Sequence, residues 1–307
     1  TRFSFTGDDN FFIYKKRAEE LHECVTKTGR FYNIAQVFSS LNFLRNYDPR
    51  FIAEIGVDKI FIGLESSLFP FKKNRGVDIK GFFEELRKYG IKIYLSSILC
   101  LEGHTQENIW DDIGYHISLK PTFSQFVLLS AIDGTPLHER LKKEGRILHT
   151  VPYEDRHGFK VIWFSHPSFA VSDSGQIQKE AYQREYMALG PCFAREIEVN
   201  FRSYFTLSQS QNLVLRQKAE AFRREMPMYT ILLRAAEFLA PTEGMRSDLR
   251  SLRQEIEGVF GKMGPVRHME ALALAFVGKS REIRTKYLGD GIEPKTVLTH
   301  FNNGVSQ

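Results

Sequence analysis

Short apolar segments recur along the first half of the chain at nearly constant spacing. The segments begin at Phe3, Phe31, Lys59, Ile91 and Ser124. The intervals between these starts are 28, 28, 32 and 33 residues, and each interval holds apolar residues at helical spacing. Asp48-Pro49 and Thr135-Pro136 are typical helix starts, and Gly90 is a typical helix end. A strand–helix repeat of this length predicts consecutive βα units with parallel strands.

Polar residues stand near the end of every predicted strand. They are found at positions 6–10, 33, 36, 65–67, 96, 97 and 130. In β/α barrels, functional groups gather at the carboxyl ends of all strands, whereas a doubly wound sheet concentrates them at one switch point. We therefore expect a β/α barrel in which Glu65 faces a ligand. The alternative is that Glu65 caps a helix or pairs with a lysine.

Composition and charge exclude several classes of protein. The chain has 307 residues, a net charge of +5 and a pI near 9.0, with the two signs of charge interspersed, which gives no case for nucleic acid binding. There is no apolar run long enough to span a membrane and no secretory signal. The three cysteines, Cys24, Cys100 and Cys192, lie far apart, which indicates a reducing, cytoplasmic compartment and excludes a complete cysteine-ligated metal site. Because the sequence begins with Thr1, we expect a processed chain or a fragment.

The period is lost after residue 149. Long amphipathic stretches follow at 172–189, 209–224, 230–239, 243–260 and 266–277. Residues 161–169 are predicted to form a short strand or an extended segment. The chain is therefore predicted to divide into a β/α region, 1–149, and a helical region, 150–307.

Four stretches in the first half resemble the radical S-adenosylmethionine enzymes. They are FSFTGDDNFF from Phe3, IFIGLESS from Ile60, KYGIKIYLSSILCLEGHTQEN from Lys88, and SQFVLLSAIDGTPLHERLKKEGRIL from Ser124. The first is similar to the subgroup that often carries a cobalamin-binding domain upstream. The resemblance implies a six-stranded partial β/α barrel of which this chain holds five strands, followed by a mainly helical region that covers the barrel. The missing first strand would carry the Cys-x3-Cys-x2-Cys loop that ligates a 4Fe–4S cluster.

The resemblance also implies a set of cofactor-binding residues. The set is Gly7, Asp8, Asp9, Gln36, Glu65, Ser66, Ser96, Ile98 and Cys100. Residues 7–9 stand where the family has Gly-Gly-Glu, which meets the amino group of S-adenosylmethionine, although a plain turn would use the same residue types. Glu65 and Ser66 match positions near the ribose and the methionine carboxylate. Gln36 is either a ligand or a hydrogen-bonding residue of the core.

The predicted strand that begins at Ile91 departs from the family pattern. Ser96, Ile98 and Cys100 fall on the Gly-x-Ile-x-Gly pattern beside the adenine, but both glycines are replaced. Ala131 and Asp133 stand where prolines are usual. No catalytic residue or metal ligand is assigned, and Lys72-Lys73 is interpreted as a solvated loop rather than a site for an anionic substrate.

The function that the resemblance implies is radical chemistry. This chain would be the S-adenosylmethionine-binding and substrate-covering part of an enzyme that forms a 5′-deoxyadenosyl radical for C–H functionalisation, such as methyl transfer or oxidative cyclisation. The implied cofactors are S-adenosylmethionine, a 4Fe–4S cluster ligated upstream, and cobalamin on a further domain. The implied partners are a small-molecule substrate and an electron donor such as flavodoxin or ferredoxin. Two alternatives are a non-catalytic binding or scaffold barrel that has lost the cluster, and an unrelated aldolase-type barrel, for which a Schiff-base lysine on a strand is not evident.

Overall fold

The computed structural model describes residues 3–69 and 78–289, and it is an α/β structure with a parallel sheet. The strands are β1 (Phe3–Phe5), β2 (Asn33–Ser39), β3 (Lys59–Glu65), β4 (Lys92–Leu99) and β5 (Phe123–Leu128). Strands β2 to β5 form a four-stranded parallel ladder, and β1 pairs in parallel with β2. The order in the sheet is β1-β2-β3-β4-β5. The parallel, sequential strands predicted from the repeat are therefore confirmed.

Helices between and after the strands confirm the predicted signals at Asp48-Pro49, Thr135-Pro136 and Gly90, and include one short helix, 41–44, that was not predicted. They are α1 (Lys15–Thr28), α2 (Leu41–Leu44), α3 (Pro49–Glu54), α4 (Ile79–Lys88), α5 (Asn108–Ser118) and α6 (Pro136–Lys143). Asp48 caps α3 by accepting a hydrogen bond from the backbone N–H of Arg50, and Thr135 caps α6 in the same way from His138. Gly29 ends α1 in the left-handed conformation, which glycine adopts without a steric penalty.

The two faces of the sheet differ in burial. In β3, Ile60, Ile62 and Leu64 are buried and belong to the main core, together with side chains of α4. We call this the outer face. The alternate residues Lys59, Phe61 and Gly63 of β3 are only half-buried, and we call their side the inner face. Right-handed crossovers in a sequentially ordered sheet place their helices on one side of the sheet. This explains why the helices between the strands cover the outer face and not the inner face.

Helix α7 (Val171–Leu189) lies along the free edge of β5. The backbone N–H of Phe126 donates to the hydroxyl of Tyr182 at 3.1 Å, and the amide of Gln178 donates to the carbonyl of Phe126 at 2.6 Å. Ser124 adds a hydrogen bond to Glu185 at 2.7 Å. Side chains of α7 therefore satisfy backbone groups that an edge strand would otherwise leave unpaired.

The remaining helices form a bundle against the outer layer. They are α8 (Cys192–Ser208), α9 (Leu213–Leu239), α10 (Glu243–Phe260) and α11 (Pro265–Leu288). Helix α9 reaches the amino ends of the strands, where the ammonium of Lys218 donates to the carbonyl of Val57 at 3.0 Å. Gln217 donates to the carbonyl of Gly29 and accepts from the backbone N–H of Phe31. The division at residue 149, and the covering of the barrel by residues 150–307, stay predictions.

Two predictions for the helical region were wrong. Residues 224–230 do not interrupt the helix, because α9 runs through Pro227. Met226, Tyr229 and Leu233 on either side of the proline are buried in the core, and this packing offsets the cost of about 3 kcal/mol for proline in a helix. Helix α8 was missed altogether. Residues 161–169 form neither a helix nor a strand, apart from one antiparallel bridge between Ile147 and Phe164.

Candidate functional site

An aromatic row crosses the inner face from β2 to β5. It consists of Phe38, Phe61, Tyr94 and Phe123. Successive ring centroids lie 5.0, 4.9 and 5.8 Å apart. The parallel register produces the row, since it pairs Phe38 with Phe61, Phe61 with Tyr94, and Tyr94 with Phe123. The ammonium of Lys59 lies 4.0 Å from the centroid of Phe123, within range of a cation–π interaction. The inner face therefore carries a row of aromatic rings, with the ammonium of Lys59 close to the last ring.

A polar group lies next to the aromatic row, toward the carboxyl ends of the strands. Ser96 is paired with Gly63 on one side and Gln125 on the other. Its hydroxyl donates to the side-chain carbonyl of Gln125 at 3.0 Å. Two residues further along each strand, Ile98 lies beside Val127. The polar pair of Ser96 and Gln125 therefore lies between the aromatic row and an apolar pair nearer the carboxyl ends.

Strand β3 ends in an irregular backbone at Glu65. The register shifts between Gly63 and Glu65, so that Glu65 is paired with Ser97. Glu65 has φ of 64°, in the left-handed region that non-glycine residues seldom adopt. The carboxylate is half-buried at the end of the strand. A residue in such a conformation persists only where its surroundings determine it, and such residues cluster at functional sites.

The neighbouring strand β4 is followed by a second residue of this kind. Cys100 comes directly after Leu99, has φ of 56°, and is fully buried. Burial raises the pKa of its thiol to about 12. The thiol is therefore protonated at neutral pH and is neither a nucleophile nor a metal ligand in this state. The prediction that Cys100 lies within the strand was wrong by one residue.

A network that we call the loop clamp holds the segments after β3 and β4. It consists of Ser66, Ser67, His104 and Asp112. One carboxylate oxygen of Asp112, on α5, accepts from both the backbone N–H and the hydroxyl of Ser67 at 2.6 Å. The other carboxylate oxygen of Asp112 lies 3.1 Å from Nε2 of His104. Because Nδ1 of His104 accepts from the backbone N–H of Leu101 at 3.0 Å, Nε2 carries the proton and donates to Asp112.

The electrostatics of the clamp favour an ionised Asp112. Burial acts to raise the pKa of this carboxyl, but hydrogen bonds from His104, Ser66 and Ser67 outweigh burial and hold the pKa below its usual value. Ser66 is itself buried, and its hydroxyl oxygen accepts from the backbone N–H groups of Leu68 and Phe69 at 3.1 and 3.2 Å. Ser66 therefore contributes to the shape of the turn after Glu65.

The segment after β4 has further anchors. The carbonyl of Leu101 accepts from Nε2 of His166 at 2.9 Å, and burial lowers the pKa of His166. Glu102 pairs with Arg140 and, at 2.8 Å, with Arg146. These contacts fix the backbone just past Cys100. Sequence reasoning found Ser66 and Ser67 of the loop clamp, but it found neither His104 and Asp112 nor this further set, because these residues have no shared spacing.

The predicted residues fall into two groups. Glu65, Ser66, Ser96, Ile98 and Cys100 lie together at the carboxyl ends of β3 and β4.

The second group is at β1 and β2. Gly7 and Asp9 are exposed, and Asp8 forms a 2.8 Å ion pair with Arg17. The carbonyl of Gln36 accepts from the backbone N–H of Thr6 at 3.5 Å, and the Gln36 side chain is half-buried. These contacts do not identify a ligand for either group of residues. The role of each residue stays a prediction.

The described residues do not fit an iron–sulfur cluster. Cys24 is exposed on α1, Cys100 is buried, and Cys192 is exposed at the start of α8. Residues 3–69 and 78–289 contain no group of three or more His, Cys, Asp or Glu side chains that could hold a metal ion. The pair Lys72-Lys73 lies outside the described residues.

Comparisons with known proteins do not assign this chain to a class. No family model matches it, and no curated protein matches it. Within the described part of the chain, no helix is both long enough and apolar enough to cross a membrane.

Proposed function

We propose that the inner face, at the carboxyl ends of β3 to β5, binds S-adenosylmethionine, and that the chain is the cofactor-binding and substrate-covering part of a radical enzyme. One observation carries the proposal. Two adjacent strands lead into left-handed non-glycine residues, Glu65 and Cys100, at two positions that the resemblance assigns to the cofactor. Cys100 stands where the family has glycine, and φ of 56° is a conformation that glycine adopts freely.

The strand order supports the partial barrel that this proposal needs. A doubly wound sheet reverses its strand order at one point, and the ligand binds there. The order β1-β2-β3-β4-β5 has no reversal among the described strands. A sequential parallel sheet with its helices on one side can curve so that its other face lines a lumen, as β/α barrels do.

The chemistry of S-adenosylmethionine matches the groups available there. The ligand carries an ammonium and a sulfonium, which the carboxylate of Glu65 would attract. The hydroxyl of Ser96 and the amide of Gln125 are suited to hydrogen bonds with a heterocycle. The aromatic row, 38, 61, 94 and 123, provides an apolar surface against which water would be excluded. The loop clamp would position these groups, since it holds the backbone segments that follow β3 and β4.

The proposal for this chain is limited to binding and positioning. In radical enzymes of this kind a 4Fe–4S cluster supplies the electron that cleaves S-adenosylmethionine, and the described residues provide no ligands for it. The same proposal includes methyl transfer or cyclisation as the reaction and a cobalamin domain upstream. It also includes a small-molecule substrate and a flavodoxin or ferredoxin as electron donor. The second candidate is a non-catalytic barrel that binds a ligand in the same place.

Calorimetric titration of this chain with S-adenosylmethionine tests the proposal. We expect saturable binding that is lost in Gln125→Trp, because the indole would fill the inner face beside Ser96. Gln183→Trp, on an exposed position of α7, is the matched control and should bind normally. Binding that is absent in wild type, or unchanged in Gln125→Trp, would contradict the site. Formation of 5′-deoxyadenosine by a chain extended to include a Cys-x3-Cys-x2-Cys segment would separate the enzyme from the non-catalytic barrel.

A further inference from the structure

A cleft of about 1050 Å³ lies between the end of α4, the residues before β5, and helices α7, α8 and α10. Its size is suited to a small-molecule ligand. Lys88 and Thr122 line it and lie just before β4 and β5, so the cleft is near the amino ends of the strands. We call it the amino-end cleft. It is separate from the residues at the carboxyl ends.

Helices α8 and α10 give the amino-end cleft an apolar lining. Ala194 and Val199 of α8 lie along it, as do Met245, Leu249 and Leu252 of α10. Each of these residues is buried, with between 5% and 8% of its surface still exposed. A ligand in the cleft would remove this remaining apolar surface from water, which favours a ligand with an apolar part.

The half-buried guanidinium of Arg87 also lines the cleft. Its Nη2 atom donates to the carbonyls of Leu119 and Lys120 at 2.6 and 2.8 Å. Within residues 3–69 and 78–289, its Nε and Nη1 atoms have no hydrogen-bond partner and no carboxylate forms an ion pair with it. Burial lowers the pKa of Arg87, and the opposing charges of Glu84 and Glu198 do not reverse this shift. The described residues therefore compensate this charge only in part.

The other charges of the cleft are either paired or exposed. The paired cations are Lys88, Arg195 and Arg202. The carboxylates of Glu84 and Asp248 belong to exposed residues, where water screens them. Lys120 adds an exposed cation on the segment whose carbonyls hold Arg87. The half-buried charge that a ligand could compensate is therefore the positive charge of Arg87.

We propose that the amino-end cleft binds a small organic anion, with its phosphate or carboxylate group on Arg87 and its apolar part against α8 and α10. The unused N–H groups of Arg87 would donate charge-assisted hydrogen bonds to the anionic group. A neutral ligand would leave the guanidinium uncompensated, and an inorganic anion would leave the apolar lining in water. The inference does not depend on S-adenosylmethionine binding.

Calorimetric titration of the full chain with three probes tests the proposal. Octyl phosphate has both an anionic and an apolar part, 1-octanol lacks the anion, and inorganic phosphate lacks the apolar part. We expect saturable binding of octyl phosphate, and binding of the other two probes that is weaker by about tenfold or more. Binding of 1-octanol as tight as that of octyl phosphate, or no binding of octyl phosphate, would overturn the proposal.

Arg87→Met tests the cation. It should weaken octyl phosphate binding by about tenfold, because a charged hydrogen-bond donor is lost, and it should leave the affinity for 1-octanol unchanged. Arg216→Met is the matched control, since Arg216 also donates to two backbone carbonyls but does not line the cleft. It should bind octyl phosphate as wild type does. A folded Arg87→Met that kept the wild-type affinity for octyl phosphate would contradict the site.

Gly244→Phe tests the cleft without altering Arg87. Gly244 lines the cleft at the start of α10, and a Cβ placed there would meet no atom within 4 Å, so the ring should enter open space without disturbing the fold. We expect weaker binding of octyl phosphate in this variant. Circular dichroism would verify the fold of each variant. If Arg87→Met did not fold, unchanged octyl phosphate binding in Gly244→Phe would by itself overturn the proposal.

Discussion

The two ends of the parallel sheet use buried polar groups in different ways. At the amino ends, Asp58, Lys92 and Lys218 join a helix of the second half to the sheet. At the carboxyl ends, Asp112, His104 and Ser67 hold two loops in place beside a half-buried inner face. In β/α barrels the first end contributes stability and the second carries function. At the amino ends the buried charges attach a helix to the sheet, whereas at the carboxyl ends they fix the conformation of two loops.

At the amino ends, three charged groups are enclosed together. The ammonium of Lys92 lies 2.6 Å from a carboxylate oxygen of Asp58, and Lys218 donates to the carbonyl of Val57. Both ammonium groups lie near the ring of Phe222, at 4.5 and 5.8 Å from its centroid. Burial is the main reason that the pKa of Lys218 is lowered to about 7; the charge of Asp58 opposes this shift and that of Lys92 adds to it. A single carboxylate thus compensates two buried lysines, and its loss should have large consequences.

The largest expected effect is that of Asp58→Ala. This change leaves Lys92 and Lys218 buried without a counter-charge, which typically costs about 3–5 kcal/mol of unfolding free energy. Urea denaturation would measure it. Asp133→Asn, which removes a largely exposed ion-pair partner of His138, is the control and should change stability by less than about 0.5 kcal/mol. If Asp58→Ala also abolished S-adenosylmethionine binding without unfolding the protein, the two ends would not be separate in function.

A second prediction uses the pKa of Lys218. Its pKa of about 7 in the folded protein lies below the ordinary value of 10.5, so between these values the unfolded chain binds one more proton. The unfolding free energy should therefore rise with pH across this window, by about 1.4 kcal/mol per unit. In Lys218→Met this contribution disappears. The difference between wild type and variant should change by about 2–3 kcal/mol from pH 7 to pH 9, as measured by urea denaturation at each pH.

Lys88→Met is the control for this experiment, because the side chain of Lys88 is half-exposed on α4. Its stability should follow the pH dependence of wild type. A Lys218→Met variant that also followed the wild-type curve would mean that Lys218 stays charged in the folded protein.

The two ends also differ in how far the sequence predicts them. The βα repeat predicts the strands and their order, because strands covered by helices must be apolar at regular intervals. It does not predict that α9 passes through Pro227, since buried side chains on both sides of the proline decide that. Lys218 and Asp58 lie far apart in the chain, and no local pattern connects them.

The carboxyl ends are predicted only in part. Glu65 was identified because an acid after an apolar strand is conspicuous. The shift in register at Glu65 and the left-handed backbone of Cys100 depend on pairing between strands. His104 and Asp112 belong to a loop and a helix whose separate patterns show no polar site.

Asp112→Asn tests the carboxyl end. The new amide would place an N–H group against the Nε2–H of His104, so one donor of the loop clamp loses its acceptor. We expect a loss of about 1–3 kcal/mol in unfolding free energy, together with weaker S-adenosylmethionine binding. The folded pKa of Asp112 is lowered, so its stabilisation is present above the unfolded pKa near 4 and is lost as pH falls through the folded value. The variant should therefore lose less stability than wild type on acidification below pH 4, as followed by chemical denaturation.

The neighbouring Asp111 is exposed, and Asp111→Asn provides the control. It should keep both the stability and the acid response of wild type. If Asp112→Asn weakened stability without any effect on ligand affinity, the loop clamp would support the fold alone and would not position the site.

The smallest effect on stability is expected for Glu65→Gln. Glu65 is half-buried at the end of β3, where it makes little contribution to the core, so the melting temperature should hardly change. The affinity for S-adenosylmethionine should fall by about 1–3 kcal/mol, because a charged partner for the ammonium and the sulfonium is lost. Glu102→Gln is the matched control, since it makes the same chemical change on the adjacent loop, where Glu102 is held by Arg140 and Arg146. Calorimetric titration beside a thermal melt distinguishes the outcomes. A large loss of stability with unchanged affinity would make Glu65 a structural ion-pair partner, and the carboxyl ends would then resemble the amino ends rather than contrast with them.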